Sequence, residues 1–182
     1  MSPFFTGKGD NGMTGSLGEG RLNKDSLLLE AVGSIDEASA VLGFARSLTV
    51  LENIKSIIIK IQQQLYVLMA EISSGHTSSI EAPQISKEDL TWIEGKIDEL
   101  GKHVGMPDGF ILPGESQASA ALAIARTIVR RAERRVIAYF RSKHVQKPNI
   151  TSYLNRLSSL IFILEIYQIS VSGQVTRMAE EG

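Results

Sequence analysis

A chain of 182 residues with 43% hydrophobic and 21% charged residues is long enough to bury the core of one globular domain. The formal net charge of −1 argues against a nucleic-acid binder, which needs a basic excess to neutralise phosphates. The lack of cysteine excludes disulfides, thiolate catalysis and cysteine-ligated zinc. No apolar run reaches the length of a membrane span and no secretory leader pattern opens the chain, so we expect a soluble, cytoplasmic protein without a membrane partner.

The chain opens on a glycine-rich stretch, FFTGKGDNGMTG, that has neither helical nor strand periodicity. Gly7 and Gly12 have the spacing of a phosphate-binding P-loop, but Met13 replaces the lysine of that motif and no strand precedes it. Glycines still let backbone N–H groups approach an anion closely, and Lys8 and Thr14 add a charge and a hydroxyl. The segment is therefore either an anion-binding loop or a flexible N-terminal arm.

Helical periodicity dominates the rest of the chain, and no segment alternates convincingly with period two. The predicted helices run from an N-cap at Asp25 to about Leu48, from about Asn53 to Ser73, from Ser86 (in a capping-box pattern with Asp89) through Leu100, from Ser116 to about Ser142, and from Pro148 onward. Residues 75–84 form a linker in this interpretation. We expect an all-α, five-helix up-down bundle of the ferritin-like type over residues 25–172, after a loop at 1–24 and before a loose tail at 173–182.

The segment RTIVRRAERR, residues 126–135, contains five arginines and no lysine. On a helix, Arg126, Arg130 and Glu133 fall within one narrow sector. Arginine presents fork-like donors suited to phosphate and carboxylate groups, so this band is either a ligand or subunit interface or a solvated basic face. Asp36 borders the apolar stripe of the first helix, and it either pairs with this band, within the chain or from a neighbouring copy, or reaches water.

Two weaker signals lie outside the arginine band. Asn155 is a poor residue for a helix interior, which favours a contact with a cap, a partner or a ligand. Phe110 stands in a turn-rich loop, GFILPGE, that is either plain packing or the apolar lip of a pocket. The three histidines are far apart and match no zinc or di-iron motif, so we expect no metal site formed by the protein alone.

Six segments, taken in this order, resemble the PduO-type ATP:cob(I)alamin adenosyltransferases: TGKGDNGMTG, GRLNKD, VGSIDEASAVLGFAR, FILPG, ARTIVRRAERR and YLNRLSSLIF. The resemblance implies a five-helix bundle that assembles as a homotrimer with active sites between adjacent subunits. It implies transfer of the 5′-deoxyadenosyl group of ATP to the cobalt of reduced cob(I)alamin, with Mg²⁺ present and triphosphate released. The implied partners are a cobalamin reductase and an adenosylcobalamin-dependent enzyme.

The resemblance also implies roles for individual residues. ATP would be bound by Thr6, Gly7, Lys8, Gly9, Thr14, Gly15 and Lys24 of one subunit and by Arg130, Arg131, Ala132, Glu133, Arg134 and Asn155 of its neighbour. Asp36 and Arg126 would form an inter-subunit ion pair that orders the corrinoid site, Phe110 would displace the lower axial ligand of the corrinoid, and Arg130 would be catalytic. Cobalt(I) is itself the nucleophile, which agrees with the lack of a cysteine or a Ser–His pair.

The sequence departs from the family pattern at three places. Many members carry T-[K/R]-x-G-D, whereas the basic residue here stands one place later, in TGKGD, which leaves the phosphate contact of Lys8 open. Glu115 and Ser159 replace the last residues of the family's PGG and LSD segments. Two other functions fit the same residues: a non-enzymatic nucleotide sensor on this scaffold, and a structural bundle whose arginine band docks an acidic partner. Substitution of Lys8 or Arg130 distinguishes them from the enzyme.

Overall fold

The computed structural model describes residues 4–17, 20–74 and 83–179. Its helices are α1 (Leu27–Leu48), α2 (Glu52–Ser74), α3 (Lys87–Gly101), α4 (Gln117–Ser142) and α5 (Pro148–Val171). Its strands are β1 (Met13–Gly15), β2 (Arg21–Asn23), β3 (Ile111–Leu112) and β4 (Arg177–Met178). The five-helix prediction is confirmed, and none of the described helices is long and apolar enough to cross a membrane.

The helices begin where local chemistry favours them. Ser86 and Asp89 form the predicted capping box of α3, and Ser116 forms another with Ser119 at the start of α4. For α1 the prediction was wrong by one residue, because the side chain of Ser26 rather than Asp25 accepts the bond from the third N–H of the helix. Most of the predicted linker, residues 75–82, lies outside the described residues.

The bundle is organised around α1 and α4, which pack together over the longest interface. Helix α2 packs on α1, α5 packs on α4, and α3 packs on α5. Short connections join α1 to α2 and α4 to α5, so these pairs are antiparallel hairpins. The fully buried side chains are mostly aliphatic and include Ile35, Leu42, Ile54, Ile58, Ile61, Leu65, Leu68, Leu122 and Leu154. Their removal from water is the main stabilising term of the fold.

One polar chain crosses this apolar interior. The hydroxyl of Tyr153 donates to Gln64 Oε1 at 2.8 Å, and Gln64 Nε2 donates to Asp89 Oδ1 at 2.7 Å. Burial acts to raise the pKa of Asp89, but the Ser86 N–H and the Gln64 amide outweigh it and hold that pKa below its usual value. The chain ties α5 to α2 and to the start of α3, and each buried polar group in it has a partner.

The strands lie outside the bundle in two small antiparallel pairs, β1 with β2 and β3 with β4. The sequence pattern predicts no strands and a loose tail from Gly173. Instead, Leu112 is aligned with Arg177, and the N–H of Ala179 donates to the carbonyl of Phe110 at 2.8 Å. Two-residue strands are too short to show alternation, which explains why the sequence pattern did not predict this pairing.

Candidate active site

The glycine loop closes into a compact structure through two tight turns. Gly7 and Gly12 have φ angles of 66° and 77°, which glycine adopts without the strain of a side chain. The N–H of Asp10 donates to the carbonyl of Gly7 at 3.2 Å, and the N–H of Lys24 donates to the carbonyl of Gly12 at 2.9 Å. Next, Thr14 and Gly15 enter β1, where they pair with Leu22 and Arg21. The interpretation as a flexible arm therefore does not describe this segment.

Two basic side chains fasten the loop. The guanidinium of Arg21 donates to the carbonyls of Lys8 and Met13, the latter at 3.0 Å, and to Asn11 Oδ1 at 3.2 Å. The ammonium of Lys24 lies so close to Gly9 that a Cβ added there would meet Nζ at 3.1 Å. Sequence reasoning missed Arg21, although its place in GRLNKD was visible. Arg21 is thus engaged by the loop itself, whereas Lys8 is exposed.

An open cavity of about 460 Å³ lies beside the β1–β2 hairpin, which follows the glycine loop. The hairpin, the start of α1, the end of α2 and the junction of α4 and α5 line it together, and the hydroxyl of Ser16 donates to the carbonyl of Ser73 at 3.4 Å beside it. The apolar part of the lining includes Leu22, Leu28, Ile72, Tyr139, Phe140 and Ile150. Because its wall is largely apolar, the cavity suits a flat organic group better than a bare anion.

The arginine band lies on α4, but its members differ in their partners. Arg131 pairs with Glu37 and Arg135 with Glu30, the latter at 3.2 Å, so these two arginines connect α4 to α1. The side chain of Ala132 is fully buried in the core, and its place in the ATP site stays a prediction. Arg130 and Arg134 are exposed and have no ion pair among the described residues.

Of the other residues predicted to act across a subunit boundary, Asn155 and Glu133 contact each other. Asn155 on α5 donates to Glu133 Oε1 on α4 at 3.4 Å. Asp36 is exposed on α1 and forms no ion pair within the described chain, since its neighbour Glu37 receives the arginine instead. The structure thus brings Glu133 and Asn155 together but leaves Asp36, Arg130 and Arg134 directed to solvent.

Arg126 has a partner that the sequence did not indicate. Its Nε lies 3.9 Å from Oε2 of Glu165 on α5, and its guanidinium carbon lies 5.6 Å from the ring centroid of Phe162. Glu165 has no exposed surface. Burial raises the pKa of this carboxyl to about 7, although the charge of Arg126 acts to lower it. The signal that was available is that Glu165 is the only charged residue in the apolar segment LIFILEIYQI.

Phe110 lies just before the start of α4, in the loop that contains β3. Its side chain is 87% exposed. The C-terminal segment fixes this loop from behind: the amide of Gln174 donates to the carbonyl of Glu115 at 2.7 Å, and the sulfur-bound methyl of Met178 would meet a Cβ on Gly109 at 3.2 Å. An exposed aromatic side chain on a fastened loop is suited to contact with a large ligand.

Along one chain, the glycine loop and Phe110 are far apart. The hairpin cavity reaches Tyr139 and Phe140 near the end of α4, whereas the Phe110 loop precedes its start at Gln117. The stretch of α4 between Gln117 and Tyr139 is about 33 Å long at a rise of about 1.5 Å per residue. One chain therefore cannot present both elements to a single small ligand at once.

The family model for cobalamin adenosyltransferase matches residues 4–168. The chain belongs to this family. It is 35% identical over 163 residues to the corrinoid adenosyltransferase of Citrobacter freundii, covering 89% of this chain and 92% of that protein. It is also 35% identical over 163 residues to the corrinoid adenosyltransferase of Bacillus subtilis, covering 87% of this chain and 82% of the relative.

Solved structures of the family agree in fold. One is a phenylalanine-to-alanine variant of the PduO-type ATP:corrinoid adenosyltransferase of Lactobacillus reuteri complexed with cobalamin and ATP. It has a TM-score of 0.89 and 27% identity, and the match covers 98% of this chain and 99% of that one. An arginine-to-lysine variant of the same enzyme, complexed with ATP, has a TM-score of 0.88 and 28% identity over 97% and 99% of the two chains.

Proposed function

We propose that this protein transfers the 5′-deoxyadenosyl group of ATP to the cobalt of a reduced corrinoid. The proposal rests chiefly on one observation: the chain matches, over 98% of its length, an ATP:corrinoid adenosyltransferase complexed with cobalamin and ATP. In the reaction, the cobalt(I) electron pair attacks the 5′ carbon of ATP. The cobalt–carbon bond forms, the bond from the 5′ carbon to oxygen breaks, and triphosphate leaves with the bonding pair.

The active site is composed of residues from two copies of the chain in a homotrimer. The separation of the glycine loop from the Phe110 loop along α4 supports this arrangement. The exposed and unpaired state of Asp36, Arg130 and Arg134 within the described chain supports it as well. In the proposal, Asp36 of one copy pairs with Arg126 of the next, and the loop of one copy faces Arg130, Glu133 and Asn155 of the other.

The protein's task in this reaction is to position ATP and to stabilise the leaving triphosphate. Lys8, Lys24 and the loop backbone supply positive charge and N–H donors to the phosphates, assisted by Thr6, Gly7, Gly9, Thr14 and Gly15. Arg130 and Arg134 complete the charge from the neighbouring copy. The apolar cavity beside the hairpin accepts the adenosine portion, and Phe110 covers the lower face of the corrinoid, where it favours cobalt without a lower ligand.

In this proposal, magnesium binds at the site together with the triphosphate of ATP. Within residues 4–17, 20–74 and 83–179, no group of three or more histidine, aspartate or glutamate side chains could hold a metal. Mg²⁺ is commonly bound by one or two carboxylates together with substrate phosphates, and Glu133 is the carboxylate among the proposed ATP residues. The ion would neutralise charge on the phosphates, while the residues of the chain orient them.

A visible-spectrum assay tests the proposed function. Purified protein is mixed anaerobically with MgATP and chemically reduced cob(I)alamin, and adenosylcobalamin formation is followed over time. We expect product only when protein and ATP are both present. Arg130→Ala should abolish turnover, whereas Arg141→Ala, which removes an exposed arginine near the end of the same helix, should leave it intact.

The other outcomes identify the alternatives. ATP binding without product would favour the nucleotide sensor. No binding of ATP or corrinoid would favour the structural bundle and would refute the proposed transferase. A cobalamin reductase as the source of cobalt(I), an adenosylcobalamin-dependent enzyme as the acceptor of product, and a cytoplasmic location remain part of the proposal.

A further inference from the structure

The contact between Arg126 and Glu165 differs from the other ion pairs of the described residues, because its charged atoms are buried and lack hydrogen bonds. Among the described residues, the buried side-chain nitrogen and oxygen atoms that lack a hydrogen-bond partner are Arg126 Nε, Glu165 Oε1 and Glu165 Oε2. All three belong to this one pair. Opposite charges stand 3.9 Å apart, and no other group of the described residues forms a hydrogen bond with these atoms.

A carboxylate in this position has a strong influence on the arginine. Among the described residues, no group donates a hydrogen bond to Glu165, so the charge of Arg126 is what offsets the burial of an ionised carboxyl there. The side chain of Arg126 is 30% exposed although Nε is buried, so its exposed part lies away from Glu165. Phe162 supports the guanidinium plane from another side. Glu165 therefore attracts the buried Nε side of the guanidinium from inside the subunit across 3.9 Å, without a hydrogen bond, while the exposed part of the side chain faces outward.

From this geometry we propose that Glu165 is a positioning residue, which holds Arg126 from the interior so that its outer nitrogens meet Asp36 of the neighbouring copy. This inference rests on the proposed function, because it concerns the corrinoid site that the Asp36–Arg126 pair orders. Glu165 touches neither substrate in this proposal. Its effect on turnover passes through the direction of one guanidinium group.

Glu165→Gln tests the proposal with little change in volume. We expect the KM for cob(I)alamin to rise roughly tenfold, as for the loss of a coupled charged contact, while the KM for ATP stays unchanged. In an Arg126→Ala background, Glu165→Gln should have no further effect on either constant. The matched control is Gln168→Leu, one turn later on α5, which removes the buried partner of the Thr49 hydroxyl but leaves Arg126 untouched.

Several outcomes would overturn the proposal. These are additive effects of Glu165→Gln and Arg126→Ala, an unchanged corrinoid KM in Glu165→Gln, or an equal rise in Gln168→Leu. The last result would show that any weakening of α5 has the same consequence. If the wild-type protein forms no adenosylcobalamin, the proposed function fails, and the contact itself is then tested by a spectroscopic measurement.

That measurement follows the Nε–H resonance of Arg126 in protein labelled with ¹⁵N-arginine, assigned through Arg126→Lys. We expect the resonance to shift in Glu165→Gln and to keep its wild-type position in Gln168→Leu. An unchanged chemical shift of this resonance in Glu165→Gln would show that the carboxyl does not hold the guanidinium. This readout needs neither ATP nor corrinoid, so it separates failure of the positioning role from failure of the proposed function.

Discussion

Replacement of Glu165 by glutamine should make the protein more stable at neutral and alkaline pH. Burial raises the pKa of this carboxyl from 4.5 to about 7 in the folded protein, and Arg126 offsets only part of that effect. Between these two values the folded state binds a proton that the unfolded state has released. The free energy of unfolding therefore falls as the pH rises through this window, and glutamine, which imitates the protonated acid, removes the loss.

The size of the effect follows from the shift. One pKa unit corresponds to about 1.4 kcal/mol, so a shift from 4.5 to about 7 amounts to roughly 3 kcal/mol once the pH is well above 7. Part of the loss is already present at pH 5. We therefore expect the advantage of Glu165→Gln over wild type to grow by about 2 to 3 kcal/mol between pH 5 and pH 8.

Urea denaturation followed by circular dichroism at 222 nm measures this difference. Protein concentration must be the same in every experiment, since the proposed assembly of copies would stabilise the folded state by mass action. Subtracting the free energy of unfolding of wild type from that of Glu165→Gln at each pH cancels the titration of the groups that both proteins share. Glu94→Gln is the control, because Glu94 is exposed and pairs with Arg156 at the surface. The difference in free energy of unfolding between this variant and wild type should therefore change little with pH.

A difference in free energy of unfolding between wild type and Glu165→Gln that stays constant with pH would refute this reasoning. It would mean that the carboxyl has an ordinary pKa in the folded protein. A wild type that is the more stable protein at pH 8 would refute it as well. In that case the attraction to Arg126 would exceed the cost of burial, and the ionised pair would stabilise the fold.

Three further predictions follow from the loop, the core and the tail. Arg21→Ala frees the loop carbonyls that its guanidinium holds, so the KM for ATP should rise roughly tenfold in the spectral assay; an unchanged KM would show that the loop is ordered by ATP alone. Tyr153→Phe leaves Gln64 Oε1 buried without its donor and should cost about 1 to 2 kcal/mol in urea denaturation, without changing turnover; no loss would mean that another group satisfies the amide. Deletion of residues 175–182 removes the strand that fixes the Phe110 loop, so the KM for cob(I)alamin should rise severalfold while the melting temperature stays within a few degrees; a large fall in melting temperature would show that the tail stabilises the bundle.

The helices could be predicted because their stability depends on patterns that repeat along the sequence. In α2, Ile54, Ile57, Ile58 and Ile61 recur at helical spacing, and each is buried. The capping box of α3 depends on residues three apart, so it is also visible in the sequence. The residues of the glycine loop could be identified for the same reason, since each turn needs a glycine at a fixed place.

The contacts between distant segments could not be predicted in the same way. Glu165 stands out in the sequence as one charge in an apolar helix, but nothing in the pattern places Arg126 opposite it. Asp36 and Glu37 are adjacent in sequence and equally acidic, and only the rotation of α1 against α4 decides that Glu37 receives Arg131. Such choices depend on helix packing, which a one-dimensional pattern does not specify.

The pairing of β3 with β4 has a consequence for how preparations of this protein are judged. The strand that holds the Phe110 loop lies among the last residues of the chain and contributes little to the helical core. A protease that clips the chain near Gly173 would leave the ellipticity and the melting curve nearly unchanged while releasing the loop from its support. Under the proposed role of Phe110 at the corrinoid, intact mass, rather than folding signals, is therefore the criterion that identifies competent protein.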